Sequence, residues 1–467
     1  MQRGRNKKRS RVAVRRVRGS RGCGYSMKKL FSKIVDVKPN ELRALWLGFA
    51  FHFIILTAYY IVKPIRDSIA AGNRLETLPW MFTATLVVMV IANTIFAAIV
   101  ARMERRKFIP FAYAFFILVL VLFFVLMRTG SPSQQVWTGR AFYVWVSVFN
   151  LFNTAIFWAF MTDLFTVEQG KRLYAFIAVG GTLGAIAGAY ITKNLIRGMG
   201  PANLVAISAI LFAIVCFLVR FFPNNFTEGT RVVPAREQPI GGTAWSGITH
   251  IARSPYLFGL AAAIMLYTTT STWAYFQQTS LAREALKTSM DRTVFLSNLE
   301  IWVNMITLFI QIFLTGRLLK WFGVAFTLIS LPFVSMLGFG AMAIAPSLSM
   351  LAFFQVTRRA AAYALMRPSR EILFTVLKRE DKYKVKSVTD TLGYRVGDQL
   401  GAWSYGGLGP NGFGFSLNTI SWIAVPVTAG WCVLSLWLAR KQRALADAQT
   451  KSAQSAPLSD ISAAETA

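Results

Sequence analysis

The amino-acid sequence predicts an all-α membrane protein with twelve transmembrane helices, built as two parallel six-helix repeats. Three observations predict this class. Apolar runs close to the ~20 residues needed to cross a ~30 Å hydrocarbon core recur along the chain. Basic residues collect in loops that fall on one face of the resulting topology. A segment of the first half returns in the second half at the same topological position.

The 467 residues are 55% hydrophobic and only 15% charged, too apolar to supply the charged shell of a soluble domain. The formal net charge of +31 raises nucleic-acid binding as a reading, but its distribution argues against it. Arg3, Arg5, Lys7, Lys8, Arg9, Arg11, Arg15, Arg16, Arg18, Arg21, Lys28 and Lys29 crowd the first thirty residues, and much of the remainder lies in short loops. The charge is therefore a topology signal, and no nucleic-acid partner is expected.

Taken in order, the expected spans are 44–63, 80–100, 109–127, 141–162, 174–192, 203–222, 256–276, 294–315, 322–345, 349–366, 389–408 and 418–438. Asp390, Arg395 and Asp398 interrupt the eleventh. The loops 101–107, 168–172, 316–321 and 378–386 are basic, whereas 131–139 and 345–347 are short or nearly uncharged. An even number of spans puts both termini on the basic, cytoplasmic face of a bacterial inner membrane.

The expected organisation is a basic tail (1–40), an N-terminal bundle (41–222), a cytoplasmic linker (223–255), a C-terminal bundle (256–438) and a disordered tail (439–467). The residues up to Ser26 have no apolar core and so form no secretory signal. Met27 is the expected start of translation.

FTVEQGKRLYAFIAVGGTLGAIAG (165–188) aligns without a gap on FTVLKREDKYKVKSVTDTLGYRVG (374–397). Phe165, Thr166, Val167, Tyr174, Val179, Thr182, Leu183, Gly184 and Gly188 meet identical residues. Both segments join the fourth to the fifth span of their half. Two six-helix halves related in this way, with substrate near the midplane between them, describe a major facilitator-like architecture.

The three cysteines and two histidines form no metal or disulfide pattern, and no nucleophile–base pair is present. No enzyme activity, metal or cofactor is expected. GGTLG (180–184) lacks the Lys-Ser/Thr of a phosphate loop, and the small-xxx-small steps Gly180, Gly184 and Gly188 point instead to close helix packing.

Ionisable groups inside spans cost about 2.5–3.5 kcal/mol each on insertion scales, which makes each a functional candidate. Lys63, Arg66 and Asp67 close the first span, where interfacial anchoring is the competing reading for the latter two. Glu300 is the clearest intramembrane carboxylate, and Asn304 shares its helix face. The competing role for Glu300 is an internal salt bridge that holds the bundle together. Arg358 and Arg359 are mid-span, and at least one should face the bundle interior. Arg395 and Asp398, three apart, can pair. Asn150, Asn153 and Trp158 on the fourth span could line the pathway, although Trp158 could equally be packing. The cationic surplus suits a small anionic solute, since arginine grips phosphate or carboxylate bidentately.

YYIVKPIRDS (59–68), FWAFMTDLFTVEQGKRLYAFIAVGGTLGAIAG (157–188), SPYLFGLAAAIMLYTTTSTWAYFQQ (254–278) and RPSREILFTVLKREDKYKVKSVTDTLGYRVGDQLGA (367–402) resemble the bacterial branch of the ATP/ADP translocase family. The resemblance covers roughly Glu41 to Leu438. It implies exchange of nucleoside di- and triphosphates, with Lys63, Arg66 and Asp67, and Asp390, Arg395 and Asp398, at the family's charged elements. Lys63 stands where an arginine is usual. The expectation is thus a monomeric secondary transporter of an organic anion, in contact with the lipid bilayer. The alternative of another class is a transport-inactive scaffold or sensor that retains the fold. Intramembrane charges around an open cavity would favour the first, and charges paired in a sealed core the second.

Overall fold

The computed structural model describes residues 37–38, 41–102, 105–222, 249, 251–377, 385–386, 388–409 and 411–455. The expectations made above for most of the N-terminal tail, most of the linker, much of the 378–386 loop and residues 456–467 fall outside them, whereas 439–455, expected as disordered tail, are helical. The described residues form helices and no strand, and nine of the helices are long and apolar enough to cross a membrane.

The first half holds α1 (Leu42–Gly72), α2 (Leu78–Arg102), α3 (Arg105–Thr129), α4 (Pro132–Leu164) and α5 (Val167–Leu218). At 52 residues, α5 would be about 78 Å long if straight, more than twice the hydrocarbon thickness. It breaks at Gly200, whose φ of +76° belongs to the left-handed region that glycine enters without penalty, and Pro201 opens the second arm. The expected fifth and sixth spans are these two arms.

The second half holds α6 (Pro255–Ala285), α7 (Ser289–Phe313), α8 (Thr315–Ile344, broken at Gly323), α9 (Leu348–Ala361), α10 (Arg367–Leu373), α11 (Tyr394–Leu408) and α12 (Leu417–Ser455). A π turn, Ala362–Met366, joins α9 to α10. Pro368 has no N–H to give to the turn before it, and two carbonyls there are served from outside the helix. Gln311 donates to the Tyr363 carbonyl (3.3 Å) and Thr315 to that of Ala364 (2.9 Å). A second π turn, Thr389–Gly393, precedes α11.

The same helix crossing is built twice. In the first half, glycines of α5 lie on the backbone of α1: a Cβ at Gly180 would sit 2.7 Å from the Phe49 carbonyl oxygen, and Gly184 and Gly188 abut Phe53 and Thr57. Thr192 continues the stripe by donating to the Ile61 carbonyl at 3.1 Å. In the second half, a Cβ at Gly397 would sit 2.9 Å from the Met265 carbonyl, and one at Gly401 2.8 Å from that of Thr269. Gly188 and Thr192 are the repeat partners of Gly397 and Gly401, and the carbonyls they meet, of Thr57 and Ile61 in one half and of Met265 and Thr269 in the other, are four residues apart in each. Small residues let backbones meet where lipid offers no hydrophobic drive for association.

Among the described residues, polar contacts between the halves include several at mid-depth or nearer the end away from the chain termini. Ser68 donates to the Ser289 carbonyl (2.8 Å), Arg197 pairs with Asp291 (2.9 Å) and Arg283 donates to the Asn73 carbonyl (3.2 Å). Thr83 bonds both Gln399 (3.0 Å) and Trp403 (3.1 Å). An apolar cluster that includes Ala70, Leu78, Met81 and Tyr143 with Trp273, Phe276 and Tyr405 backs these contacts. Beyond it, a cavity of 920 Å³ opens among the loops of that end, with Arg74, Glu76, Arg283, Glu284 and Lys287 in its wall.

Candidate functional site

The strongest charge cluster lies where the halves meet. Lys63 of α1 and Arg359 of α9 converge on Glu300 of α7. Arg359 grips both carboxylate oxygens, at 2.7 and 2.8 Å, and Lys63 bonds Oε1 from the other half of the molecule. Glu300 and Arg359 each stand eleven residues from the start of their helix, about 16 Å in, close to the middle of a ~30 Å core. Lys63 and Arg359 are nearly buried and Glu300 fully so. One carboxylate between two cations leaves a surplus positive charge. Asn304 bonds the backbone carbonyl of Glu300 (2.8 Å), which shares its face without touching the carboxylate.

Aromatic rings flank both cations. Lys63 lies 5.3 Å from the Tyr60 ring centroid, and Arg359 lies 6.0 Å from that of Tyr363, which also carries Arg367 at 4.5 Å. Arg358 is buried: it donates to Ser271 at 2.6 Å, packs over Tyr267 and leaves its Nε without a partner. Both arginines of the pair thus avoid lipid, as their desolvation cost requires.

A second cluster lies further from the termini. Arg66 donates to Asp67 (2.5 and 2.9 Å) and to Ser147 (3.3 Å), and Tyr275 from the other half donates to Asp67 (3.2 Å). These two residues are enclosed by the fold, not spread at the interface with lipid headgroups. Arg395 pairs with Asp398 at 3.3 Å. Arg66, Arg395, Asp398, Asn150, Tyr143 and Tyr275 are among the residues around a cavity of 320 Å³ between the halves. Asn153 is not among its lining residues. It is fully buried, and neither atom of its amide has a partner. Trp158 packs edge-on against His52 and Tyr174 inside the first half. Asp390, the first of the charged residues on the expected eleventh span, pairs with Arg370 at 3.0 Å.

Sequence reading passed over Tyr60, Tyr363 and Arg367. Their signal was present as spacing: Tyr60–Lys63, Arg359–Tyr363 and Tyr363–Arg367 are three or four apart and share helix faces. Ser271, Tyr143 and Tyr275 had no such signal, because only the packing of α4 and α6 brings them to the arginines. Among the described residues no cluster of His, Cys, Asp and Glu has the makings of a metal site. The arrangement can hold an anion by charge and hydrogen bonds and can stack an aromatic ring.

Fold and site together define a multi-pass membrane transporter with a polar, cation-rich interior between two repeated bundles. The chain belongs to the major facilitator superfamily, whose family model matches residues 45–369. It is similar to ADP,ATP carrier protein 1 of Chlamydia pneumoniae, with 20% identity covering 81% of this chain and 87% of the relative. It is also similar to the chloroplastic ADP,ATP carrier protein 2 of Arabidopsis thaliana, with 21% identity covering 79% and 69%. Among solved structures, a single-residue mutant of the nucleoside transporter NupG superposes with a TM-score of 0.60 at 12% identity, covering 84% of this chain and 99% of that one. A bacterial homologue of the human lysosomal transporter Spinster, inward-facing and unoccupied, gives 0.53 at 12% identity, covering 88% and 97%.

Proposed function

We propose that the protein is a secondary antiporter that exchanges organic anions, nucleotides foremost, by alternating access across a bacterial inner membrane. The observation that carries this reading is the cavity between the halves that Arg66, Arg395 and Asp398 line; the Lys63–Glu300–Arg359 cluster, paired and buried, joins the halves through a single carboxylate. An entering anion competes for Arg359 and Lys63, Glu300 is released, and the halves are free to rock about the site. Arg66, Asp67, Asn150, Arg358, Arg395 and Asp398 complete the binding region on this reading, with Asn153 and Asn304 supporting its walls. The flanking tyrosines suit a base or sugar ring, and the curated carriers named for ADP and ATP support a nucleotide. The polar contacts between the halves at the end away from the termini support a state shut at that end and open at the other. Twelve crossings follow if the two arms of α5, the α9–α10 rod and α11 each span once, which places both termini in the cytoplasm. The protein does its work without bond chemistry.

The test is uptake into proteoliposomes of labelled nucleotides, phosphate esters and dicarboxylates, each against internal unlabelled solute. Nucleotide exchange is expected, and Arg359→Gln is expected to lower it about tenfold or more while insertion persists. No uptake of any anion by the wild-type protein, or wild-type rates in the variant, would overturn the reading.

A further inference from the structure

One cation lies apart from the transport site and is unexplained by it. Arg140 is partly buried near the start of α4, 4.8 Å from the ring centroid of Trp137. It forms no ion pair among the described residues, and its buried Nε has no hydrogen-bond partner. Arg140 and Trp137 stand at one end of a groove of 1080 Å³ enclosed by α2, α3 and α4. The groove runs from Trp80 and Arg140 to Ile99 and Ile156, and among the described residues its wall is otherwise almost wholly apolar, with no carboxylate. Val88, Ile95 and Phe115 along it are exposed, so the groove faces the lipid and not the space between the halves.

Depth fixes what this end meets. At 33 residues, α4 is about 50 Å long and overhangs a ~30 Å hydrocarbon core by about 10 Å at each end. Arg140 stands eight residues from Pro132, about 12 Å along, and so lies at the boundary between acyl chains and headgroups. Trp80 and Trp137 mark the same level, where indole rings concentrate in membrane proteins.

We propose that this groove is a binding site for an anionic phospholipid, with Arg140 holding the headgroup phosphate and the apolar wall holding the acyl chains. Charge complementarity selects the occupant. A guanidinium with unused donors at the headgroup level takes a phosphodiester oxygen in a charge-assisted bond. A wall without a carboxylate gives nothing to the ammonium of a zwitterionic lipid, so a net anionic headgroup is preferred. The site is distinct from the solute pathway and does not depend on which solute is carried.

The experiment is native mass spectrometry and thermal unfolding of the full chain in detergent, titrated with phosphatidylglycerol or phosphatidylcholine. Phosphatidylglycerol is expected to bind with a discrete stoichiometry and to raise Tm more than phosphatidylcholine does. Arg140→Gln is expected to weaken phosphatidylglycerol binding about fivefold, as the loss of one basic residue near an anionic headgroup implies. Arg140→Lys should restore much of it. Ala84→Trp, on the exposed part of the groove wall, should reduce lipid retention with the Tm in lipid-free detergent unchanged. Equal binding of the two lipids, or unchanged binding in both Arg140→Gln and Ala84→Trp, overturns the proposal. A lipid-free dimer that Ala84→Trp dissociates would make the groove a subunit interface and overturn it as well.

Discussion

Glu300 is the residue on which the two halves depend most directly. Burying a carboxylate is tolerable only with partners, and here it has two, one from each half of the molecule. Removing it leaves Lys63 and Arg359 facing each other with their charges uncompensated, whereas removing Lys63 as well relieves most of that repulsion. Glu300→Gln is therefore expected to lower Tm more than the Lys63→Gln/Glu300→Gln double variant does. The cycle should show a coupling of about 1 kcal/mol or more. Strictly additive losses in thermal melts would mean that this bond does not join the halves. Glu300 stood out in the sequence because a lone carboxylate in an apolar run is expensive. Lys63 and Arg359 stood out for the same reason, but that these two cations meet Glu300 was not legible, since they are 237 and 59 residues away in the chain.

At the scale of helices, the glycine stripes and the prolines decide where backbones can approach and where they must bend. Gly184 sits against the backbone of α1, where a Cβ would lie 2.9 Å from the carbonyl carbon of Phe53. Nothing stands within 4 Å of a Cβ at Gly198 on the same helix. Gly184→Leu should destabilise the protein by about 1–3 kcal/mol through overpacking. Gly198→Ala should be neutral or stabilising by up to about 1 kcal/mol, because alanine loses less backbone entropy in a helix. Parallel melts of the two variants check this, and equal effects would refute the packing account. The small-xxx-small steps were legible because their spacing matches the helical turn. The long α5 was not, because a gap between apolar runs does not say whether the chain leaves the helix or only bends at Gly200.

For the whole molecule, several polar contacts between the halves lie at the end away from the termini. Ser68 and Ser289 have hydroxyl oxygens 3.2 Å apart at the end away from the termini. With Cys23, Cys216 and Cys432 replaced, the S68C/S289C pair should form a disulfide under oxidation and hold that end shut. Exchange in proteoliposomes should then stop and return on reduction. Undiminished transport with the bond shown to be formed would mean that this end does not open during transport.

The sequence by itself determined that the chain crosses a membrane many times, that its halves repeat in parallel, and that its interior is cationic. Each of these follows from local quantities: run length against bilayer thickness, the side on which lysine and arginine fall, and identities at a constant offset. Only the tertiary structure decided which charges meet. An arginine inside a membrane must find some partner, but helix rotation and packing choose it: Ser271 for Arg358, Glu300 for its neighbour Arg359. The same holds for Asn150 and Asn153, one turn apart on α4, of which the first reaches the cavity and the second is sealed in packing. Arg140, unremarked in the sequence, became informative only when folding set it at the end of a groove with no ion-pair partner among the described residues.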